Sequence, residues 1–463
     1  MSACRRSLKR AVQGALVCAA WVGGAGPLRA EDGPGKPASQ PLADSAWVAR
    51  AGGEVILRRP TQALLMLARR EQPDLTLQEL ARRLAIDLLM GEAASREVGD
   101  ATLFASRRVA FAPEVDARRQ WLATLQQLWP DRIERDWQAA TPELPSTVDA
   151  RAWRALWSAV PGASLRMNED LDESQRDGAA RLVLLRHRAF GQTPAGAITL
   201  ADVWPVQNVQ GRRLLRDGDL DYARAQARQL LRERFVEQWS RRESGWSRSE
   251  LEFIHRVIEA RQRKLAWQRW QGLSGDPHAE APPRDALAAS VTADEIGAYY
   301  RAHLDRFERL ESVEGLRLRC APAGCADEAR GADLKGRPGA VRVSWRLGDA
   351  RPSAEVDAWV LDLLQAWPAG TASPPIRHPD GNGWERVQAL SVKRGHHPAD
   401  SETVRHEARQ AVALEKLEAR WQQRQVELLA SAGLRWAPGI AEPQVPFEPQ
   451  RATPAGGEHG HAH

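Results

Sequence analysis

Residues 366–387, AWPAGTASPPIRHPDGNGWERV, decide how the C-terminal half of this chain is interpreted. The stretch contains, in order, the end of a helix, a Gly, a Ser-Pro-Pro segment, a turn and a Gly-Trp pair that begins a short strand. Pro and Gly interrupt regular structure, and Gly also supplies the positive φ that tight turns need. The order therefore predicts a helix followed by a closing β-hairpin.

The residues around this stretch extend the pattern in both directions. An inner strand is predicted at 340–349 and a helix at 352–367. Residues 291–310 predict a helix that leads into the unit, because Thr292 is followed three positions later by a Glu, as in a capping box. Residues 401–433 predict a long amphipathic helix that begins at a Ser and ends at a Gly.

The N-terminal part of the chain is dominated by helical patterns. Residues 47–59 predict two short strands joined by a Gly-Gly turn, and residues 75–99 predict a long amphipathic helix. Further long helices are predicted at 219–242 and 247–271. The stretch 140–215 gives no clear pattern, and a decayed module within it stays an open alternative.

The order of these segments resembles that of the SurA/PpiD-like periplasmic chaperones. In that group a long helical domain surrounds or precedes a parvulin-type (PpiC) peptidyl-prolyl cis-trans isomerase domain. The resemblance covers roughly residues 45–125 and 290–433 and is most specific at 366–387. It implies an α+β, mainly α fold, with a long-helix chaperone domain and a small degenerate parvulin-like α/β domain.

The resemblance and the Pro/Gly-rich breaks together predict the domain organisation. The predicted segments are a signal peptide (1–30), a linker (31–44), a helical chaperone-like domain (45–271), a second linker (272–290), a lead-in helix (291–310), a parvulin-like domain (311–397), a C-terminal helix that packs on the helical domain (398–435) and a disordered tail (436–463).

The resemblance also places the catalytic positions of a parvulin site, and this sequence does not keep them. The two family histidines fall at Cys320 and Glu385, and the inner Cys or Asp has only Ser344 as a counterpart. A carboxylate lacks the neutral donor and acceptor character of an imidazole. We therefore assign no catalytic residue and expect no isomerase turnover above background.

Apolar residues of the same region are candidates for polypeptide binding. The resemblance places a proline pocket near Val356, at Trp359 or Val360, and beside Trp384, while ordinary core packing is the alternative for the last three. The chain also contains 18 Trp and four Met. Because aromatic side chains give rigid contact area, we expect the Trp-rich helices to form a cradle for unfolded polypeptides.

The N-terminus predicts export to the periplasm. A basic cluster at 5–10 precedes residues 11–25, which carry no charge and are short for a bilayer span; an uncleaved anchor is the alternative. Five of the 65 basic residues and none of the 60 acidic residues lie within 1–30, so the mature chain is balanced in charge. That balance gives no electrostatic argument for nucleic acid. No later segment is long and apolar enough to cross a membrane.

Two cysteines remain in the predicted mature chain, Cys320 and Cys325, in the sequence CAPAGC. In an oxidising compartment this spacing favours a short local disulfide, with two reduced thiols as the alternative. No metal or other cofactor is expected. The weak candidate metal ligands are His459, His461 and His463, for which a disordered tail is the alternative.

Three functions are compatible with these patterns. The first is an exported chaperone that binds unfolded, nascent or proline-containing polypeptides. The second is an active parvulin-type isomerase, and the third is an accessory protein of one secretion or surface-assembly pathway with a dedicated partner. The sequence lacks the motifs of zinc-protease helices, nucleophile elbows, phosphate loops and dinucleotide-binding turns.

Overall fold

The structure is a computed structural model in which the chain forms two compact units. One, the helical unit, contains residues before 284 and after 416; the other, the sheet unit, contains 284–416. The predicted signal peptide, the linker 31–44, Cys325 and the three C-terminal histidines lie outside the described residues, and the predicted domain boundaries stay predictions. The described residues are 46–105, 112–144, 147–158, 170–274, 280–320, 333–349, 355–379, 381–442 and 449–451, with the backbone alone at 158 and 355–357.

A small antiparallel sheet joins the two ends of the helical unit. β1 (Trp47–Ala51) lies between β2 (Glu54–Leu57) and β10 (Arg435–Trp436). The predicted Gly-Gly turn is present, and Gly52 adopts a φ of 61°, which Gly accepts without steric cost. The tail was predicted to be disordered from residue 436, but Trp436 lies in this sheet because its backbone pairs with β1.

The helices of this unit begin where the sequence supplies capping groups. The hydroxyls of Thr76 and Ser247 each accept a hydrogen bond from the N–H three residues later, and the Glu at that position accepts one in return. The helices are α1 (Arg58–Ala68), α2 (Leu77–Glu97), α3 (Asp100–Leu103), α4 (Pro113–Leu128), α5 (Pro130–Ala140), α6 (Ala150–Ser158), α7 (Glu173–Arg181), α8 (Leu200–Val203), α9 (Val209–Arg216), α10 (Leu220–Glu243) and α11 (Arg248–Gln271).

The stretch 140–215 contributes a second antiparallel sheet to the helical unit. Its strands are β3 (Glu143–Leu144), β4 (Val183–His187) and β5 (Gly196–Thr199), with β4 in the centre. Side chains from this stretch share one core with side chains of α4 and α10, among them Trp153, Leu184, Ile198 and Trp204. The described part of this stretch therefore contributes to the core of the helical unit.

The sheet unit is a four-stranded antiparallel sheet with one helix packed on it. The strand order is β7 (Val341–Arg346), β6 (Glu308–Cys320), β9 (Trp384–His396) and β8 (Ile376–Arg377). The helix α14 (Glu355–Ala366) buries Val360, Leu361 and Leu364 against it. The remaining helices are α12 (Pro282–Ala289), α13 (Ala293–Ala302) and α15 (Glu402–Ala432).

The predicted fold class is confirmed, with one element shorter than expected. The capping box at Thr292 is present, but α13 ends at Ala302 and not near 310. Residues 308–310, which were expected to be helical, instead begin β6 and pair with β9.

Candidate functional site

The first catalytic position of the parvulin resemblance lies at the end of β6. Cys320 pairs in register with Trp384 of β9 and is 4% exposed. Its sulfur is already in a disulfide. A disulfide sulfur has no thiol proton to donate and does not titrate. Cys320 therefore cannot replace the polar group that an imidazole supplies in a parvulin.

The second catalytic position is part of a buried ion pair. Glu385 is completely buried, and its carboxylate accepts two hydrogen bonds from Arg317, with Nε–Oε1 at 3.0 Å and Nη2–Oε2 at 3.1 Å. Two parallel bonds from a guanidinium are among the stronger pairings that a carboxylate makes. The carboxylate is thus paired with Arg317 inside the sheet unit and does not face a substrate.

A histidine that the sequence analysis did not select lies beside this ion pair. His378 is 2% exposed, and its Nε2 is 3.9 Å from Oε2 of Glu385. Its ring meets Trp359 edge-on, with centroids 5.4 Å apart. The sequence signal was the RHPD stretch within 366–387. A turn at this stretch can place the His side chain beneath a neighbouring strand. Glu385 and His378 are buried and Arg317 is partly buried, which favours a structural network.

The predicted proline pocket divides between core and partly exposed residues. Val360 is fully buried among the apolar residues of α14, β6 and β9, so it belongs to the core. Trp359 packs against that core while remaining partly exposed. Trp384 packs against Leu318 and Cys320 and is also partly exposed. The side chain of Val356 lies outside the described part of the chain.

A second buried polar group fastens the segment before β8 onto β9. The Ser373 N–H donates to Val387 O at 2.7 Å, and the Val387 N–H donates to Ser373 Oγ at 3.0 Å. Arg386 Nε donates to Ser373 O at 2.8 Å, and burial lowers the pKa of that arginine. Gln388 donates to Gly370 O at 3.1 Å. These bonds close the sheet edge where a parvulin site is expected.

Alkylation followed by mass spectrometry tests the predicted pairing of Cys320 with Cys325. In exported protein kept under non-reducing conditions, neither cysteine should be alkylated. Reduction should cost less than the ~3 kcal/mol that a 15-residue loop gives, because this loop is shorter. Alkylation of both cysteines would contradict the prediction.

The opposite edge of the sheet is formed by β7. This strand pairs with β6 and has no second strand neighbour among the described residues. Val341 is 58% exposed and Leu347, just beyond the strand, is 49% exposed. Such an edge offers backbone N–H and C=O groups with which an extended polypeptide can pair.

The helical unit contains a cleft of mixed polarity. Its volume is about 270 Å³, and it lies between the start of α1 and the start of α11. Arg59, which lines this cleft, donates to Gly245 O at 2.7 Å and lies 3.9 Å from Glu250. The surrounding residues are Ala46, Leu57, Arg58, Gln62, Ser247 and Ser249.

A buried titratable network joins α4 to α10 in the helical unit. Glu233 is 5% exposed and lies 3.5 Å from Arg118, which also contacts Glu237 at 2.6 Å. Burial raises the pKa of Glu233 to about 7 despite the opposing charges of Arg118 and Arg119. Burial likewise lowers the pKa of Arg119 to about 10. The proton on Glu233 is therefore more tightly held in the folded state.

Unfolding by urea at different pH values tests this assignment. The favourable contribution of protonated Glu233 is complete below its ordinary pKa of 4.5 and is lost as the pH rises through about 7. The loss is at most about 3 kcal/mol between pH 5 and pH 8. Glu233→Gln should lose less over this interval, whereas Glu243→Gln, exposed on the same helix, should follow the wild type. A wild type as stable at pH 8 as at pH 5 would contradict the assignment.

The tryptophans do not form the exposed cradle that the sequence suggested. Every Trp within the described ranges is buried or partly buried. Several meet one another or other rings inside the helical unit, such as Trp129 with Trp246 at 5.0 Å and Trp137 with Phe235 at 5.1 Å. The large apolar area of an indole is more stabilising in a core than at a surface, which explains the difference.

No protein-family model and no curated protein matches the chain. The solved structures that match include two described as the virulence factor PEB4 and the periplasmic protein Cj1289, structurally related SurA-like chaperones of Campylobacter jejuni. One match is 13% identical and covers 43% of this chain and 93% of the other, with a TM-score of 0.17. The second is 15% identical and covers 48% and 77%, also with a TM-score of 0.17. At these values the likeness carries no argument about function.

Two further observations concern membranes and metals. Among the helices in the described ranges, none combines the length and apolar character that crossing a bilayer requires. Within those ranges, no three His, Cys, Asp or Glu side chains are grouped as a metal-binding site.

Proposed function

We propose that this chain is an exported, SurA/PpiD-like chaperone that binds unfolded polypeptides, and that its sheet unit no longer acts as a peptidyl-prolyl isomerase. The proposed compartment is the periplasm, on the basis of the N-terminal sequence. The proposed partners are unfolded or nascent exported polypeptides.

The observation that carries the binding proposal is the open edge at β7. An unfolded polypeptide has unpaired backbone groups and exposed apolar side chains. The edge of β7 offers complementary backbone groups, and Val341 and Leu347 offer apolar contacts at its two ends. Strand addition of this kind binds a polypeptide through its backbone and therefore accepts many sequences.

The proposed absence of isomerase activity is supported by the bonding of the two residues at the family's histidine positions. Cys320 is disulfide-bonded, and Glu385 is buried with Arg317. An isomerase must lower a barrier of about 18–20 kcal/mol to rotation about the X-Pro bond. Neither position presents a free polar group to that bond.

Light scattering of an unfolding client protein tests the proposal. The wild type should suppress aggregation and should show no turnover above background on an X-Pro test peptide. Val341→Lys combined with Leu347→Lys should weaken client binding about tenfold, the effect of losing roughly 1.4 kcal/mol. Leu304→Lys is the control, because Leu304 is 41% exposed in the same unit but lies outside β7.

The results also separate the alternatives. Turnover at levels usual for parvulins would favour an active isomerase. Binding of one client but none of a panel of unrelated unfolded proteins would favour an accessory protein with a dedicated partner. Failure to bind any unfolded client would contradict the chaperone function.

A further inference from the structure

A short piece of the C-terminal segment contacts the buried surface where three helices of the helical unit meet. Residues 449–451 belong to this segment, and Gln450 is the residue that makes the contacts. The helices are α2, α11 and α15. The close approach of α2 and α11 is visible at Gly91 of α2, where an added Cβ would lie 2.5 Å from Ala260 O of α11.

The backbone of Gln450 is bound by a single side-chain amide. Gln425 of α15 is fully buried; its Nε2 donates to Gln450 O at 2.7 Å, and its Oε1 accepts from the Gln450 N–H at 3.1 Å. The amide therefore pairs with both backbone groups of one residue, as a neighbouring strand does. These two bonds do not depend on the identity of the bound residue, so the site can accept other polypeptides.

The side chain of Gln450 accepts a hydrogen bond from a lysine whose positive charge is already balanced by an aspartate. Lys264 of α11 is 5% exposed, and its Nζ donates to Asp87 Oδ1 at 2.5 Å and to Gln450 Oε1 at 2.7 Å. Because Asp87 balances the lysine, an incoming neutral carbonyl adds no net buried charge. A carboxylate would add one. The site thus favours Asn or Gln over Asp or Glu.

A further polar group lies one helical turn from Lys264 on the same face of α11. Gln268 is 1% exposed, and neither its Nε2 nor its Oε1 has a hydrogen-bond partner among the described residues. Burying an amide without partners costs free energy. A bound polypeptide that extends beyond 449–451 along α11 would bring backbone groups towards this amide.

We propose that Asp87, Lys264 and Gln425 form a binding site for an extended polypeptide segment that carries Asn or Gln, and that Gln450 occupies this site as an intramolecular competitor. The inference rests on the proposed polypeptide-binding function and adds a second site with its own preference. Since a segment tethered by a flexible linker reaches an effective concentration on the order of millimolar, Gln450 masks the site until a client displaces it.

Fluorescence anisotropy of a labelled peptide with the sequence of residues 446–454 tests the inference on the full-length protein. Gln450→Pro removes both the side chain and the backbone N–H of the competitor. This variant should bind the peptide at least about tenfold more tightly than the wild type does. Equal binding by the two proteins, or binding by neither, would overturn the inference.

Changes in the site and in the peptide test which atoms are used. In the Gln450→Pro background, Gln425→Ala should abolish peptide binding, whereas Gln423→Ala, exposed on the same helix, should leave it unchanged. A peptide with Leu in place of the Gln should also bind at least about tenfold less tightly, and this arm does not depend on the folding of a protein variant. Equal binding of the two peptides would overturn the predicted preference.

Competition separates this site from the proposed function. An unfolded client should displace the labelled peptide from Gln450→Pro. A client that binds without displacing the peptide would overturn the inference. A wild type that suppresses aggregation, paired with a Gln450→Pro variant that binds no peptide, would also overturn it while leaving the proposed chaperone function in place.

Discussion

A chain that ends at residue 398 should lose the cooperative melting of the helical unit and should aggregate. The truncation removes α15 and β10 together. In the helical unit it removes Trp421, which is 1% exposed and whose ring lies 5.4 Å from that of Trp267. It also removes the Ala432 carbonyl, which accepts from the Gly52 N–H at 2.7 Å. Differential scanning calorimetry and static light scattering measure the two effects.

Single substitutions in α15 test the same packing, because they should lower stability by different amounts. Trp421→Ala should cost about 3–5 kcal/mol, the usual range for a large aromatic side chain removed from a core. That is a large part of the roughly 5–15 kcal/mol by which folded proteins are stable. Gln423→Ala, on an exposed face of α15, should change stability by less than about 0.5 kcal/mol. A truncated chain that stays monomeric with an unchanged melting temperature would refute the packing.

Glu385→Ala should lower the free energy of unfolding of the sheet unit by about 3–5 kcal/mol. The reason is the guanidinium of Arg317, which is only 17% exposed and loses the carboxylate that accepts its two hydrogen bonds. Urea denaturation followed by near-UV circular dichroism measures the change. Arg317→Met combined with Glu385→Leu should cost much less than Glu385→Ala, because it removes both charges of the pair together.

An exposed ion pair on the same sheet provides the control. Lys393 Nζ lies 2.7 Å from Glu311 Oε2, and the lysine side chain is 71% exposed. Glu311→Ala should cost much less than Glu385→Ala, because water solvates the lysine left behind. If Glu311→Ala and Glu385→Ala cost the same, burial does not determine the strength of these pairs.

The same ion pair affects any attempt to introduce histidines at the two positions that the parvulin resemblance indicates. Placing histidines at both family positions, with Cys320→His and Glu385→His, removes a disulfide and leaves Arg317 without its carboxylate. We expect this double variant to be less stable than the wild type and to show no gain in turnover. A variant with both wild-type stability and new turnover would show that the polar site needed only its imidazoles.

Local features were predictable from sequence, and distant partners were not. The capping box at Thr292 and the turn at Gly52 depend on neighbouring residues, and both were predicted. The resemblance places a family histidine position at Glu385, but the partner of this carboxylate, Arg317, is 68 residues away in the sequence. No local pattern encodes that distance, so the interpretation of Glu385 as part of a buried ion pair required the structure.

The tryptophans and the C-terminal segment are further cases in which the sequence did not reveal a tertiary contact. An amphipathic helix reveals which face is apolar but not whether another element covers that face. Trp421 and Trp267 cover each other, so neither contributes to an open cradle. The composition of the tail suggested disorder, yet the backbone of Gln450 is held by Gln425. In both cases a tertiary contact decided the outcome.

The pairing of β1 with β10 also affects the order in which parts of the molecule fold during synthesis. Ala49 has Trp436 as its partner, so nearly the whole chain must be made before β1 has both of its neighbours. Contacts so distant in sequence form slowly, because closing the intervening loop costs entropy first. The strands of the sheet unit all lie within 284–416 and need not wait for the C-terminus. The middle of a newly made chain should therefore become protease-resistant before its beginning does.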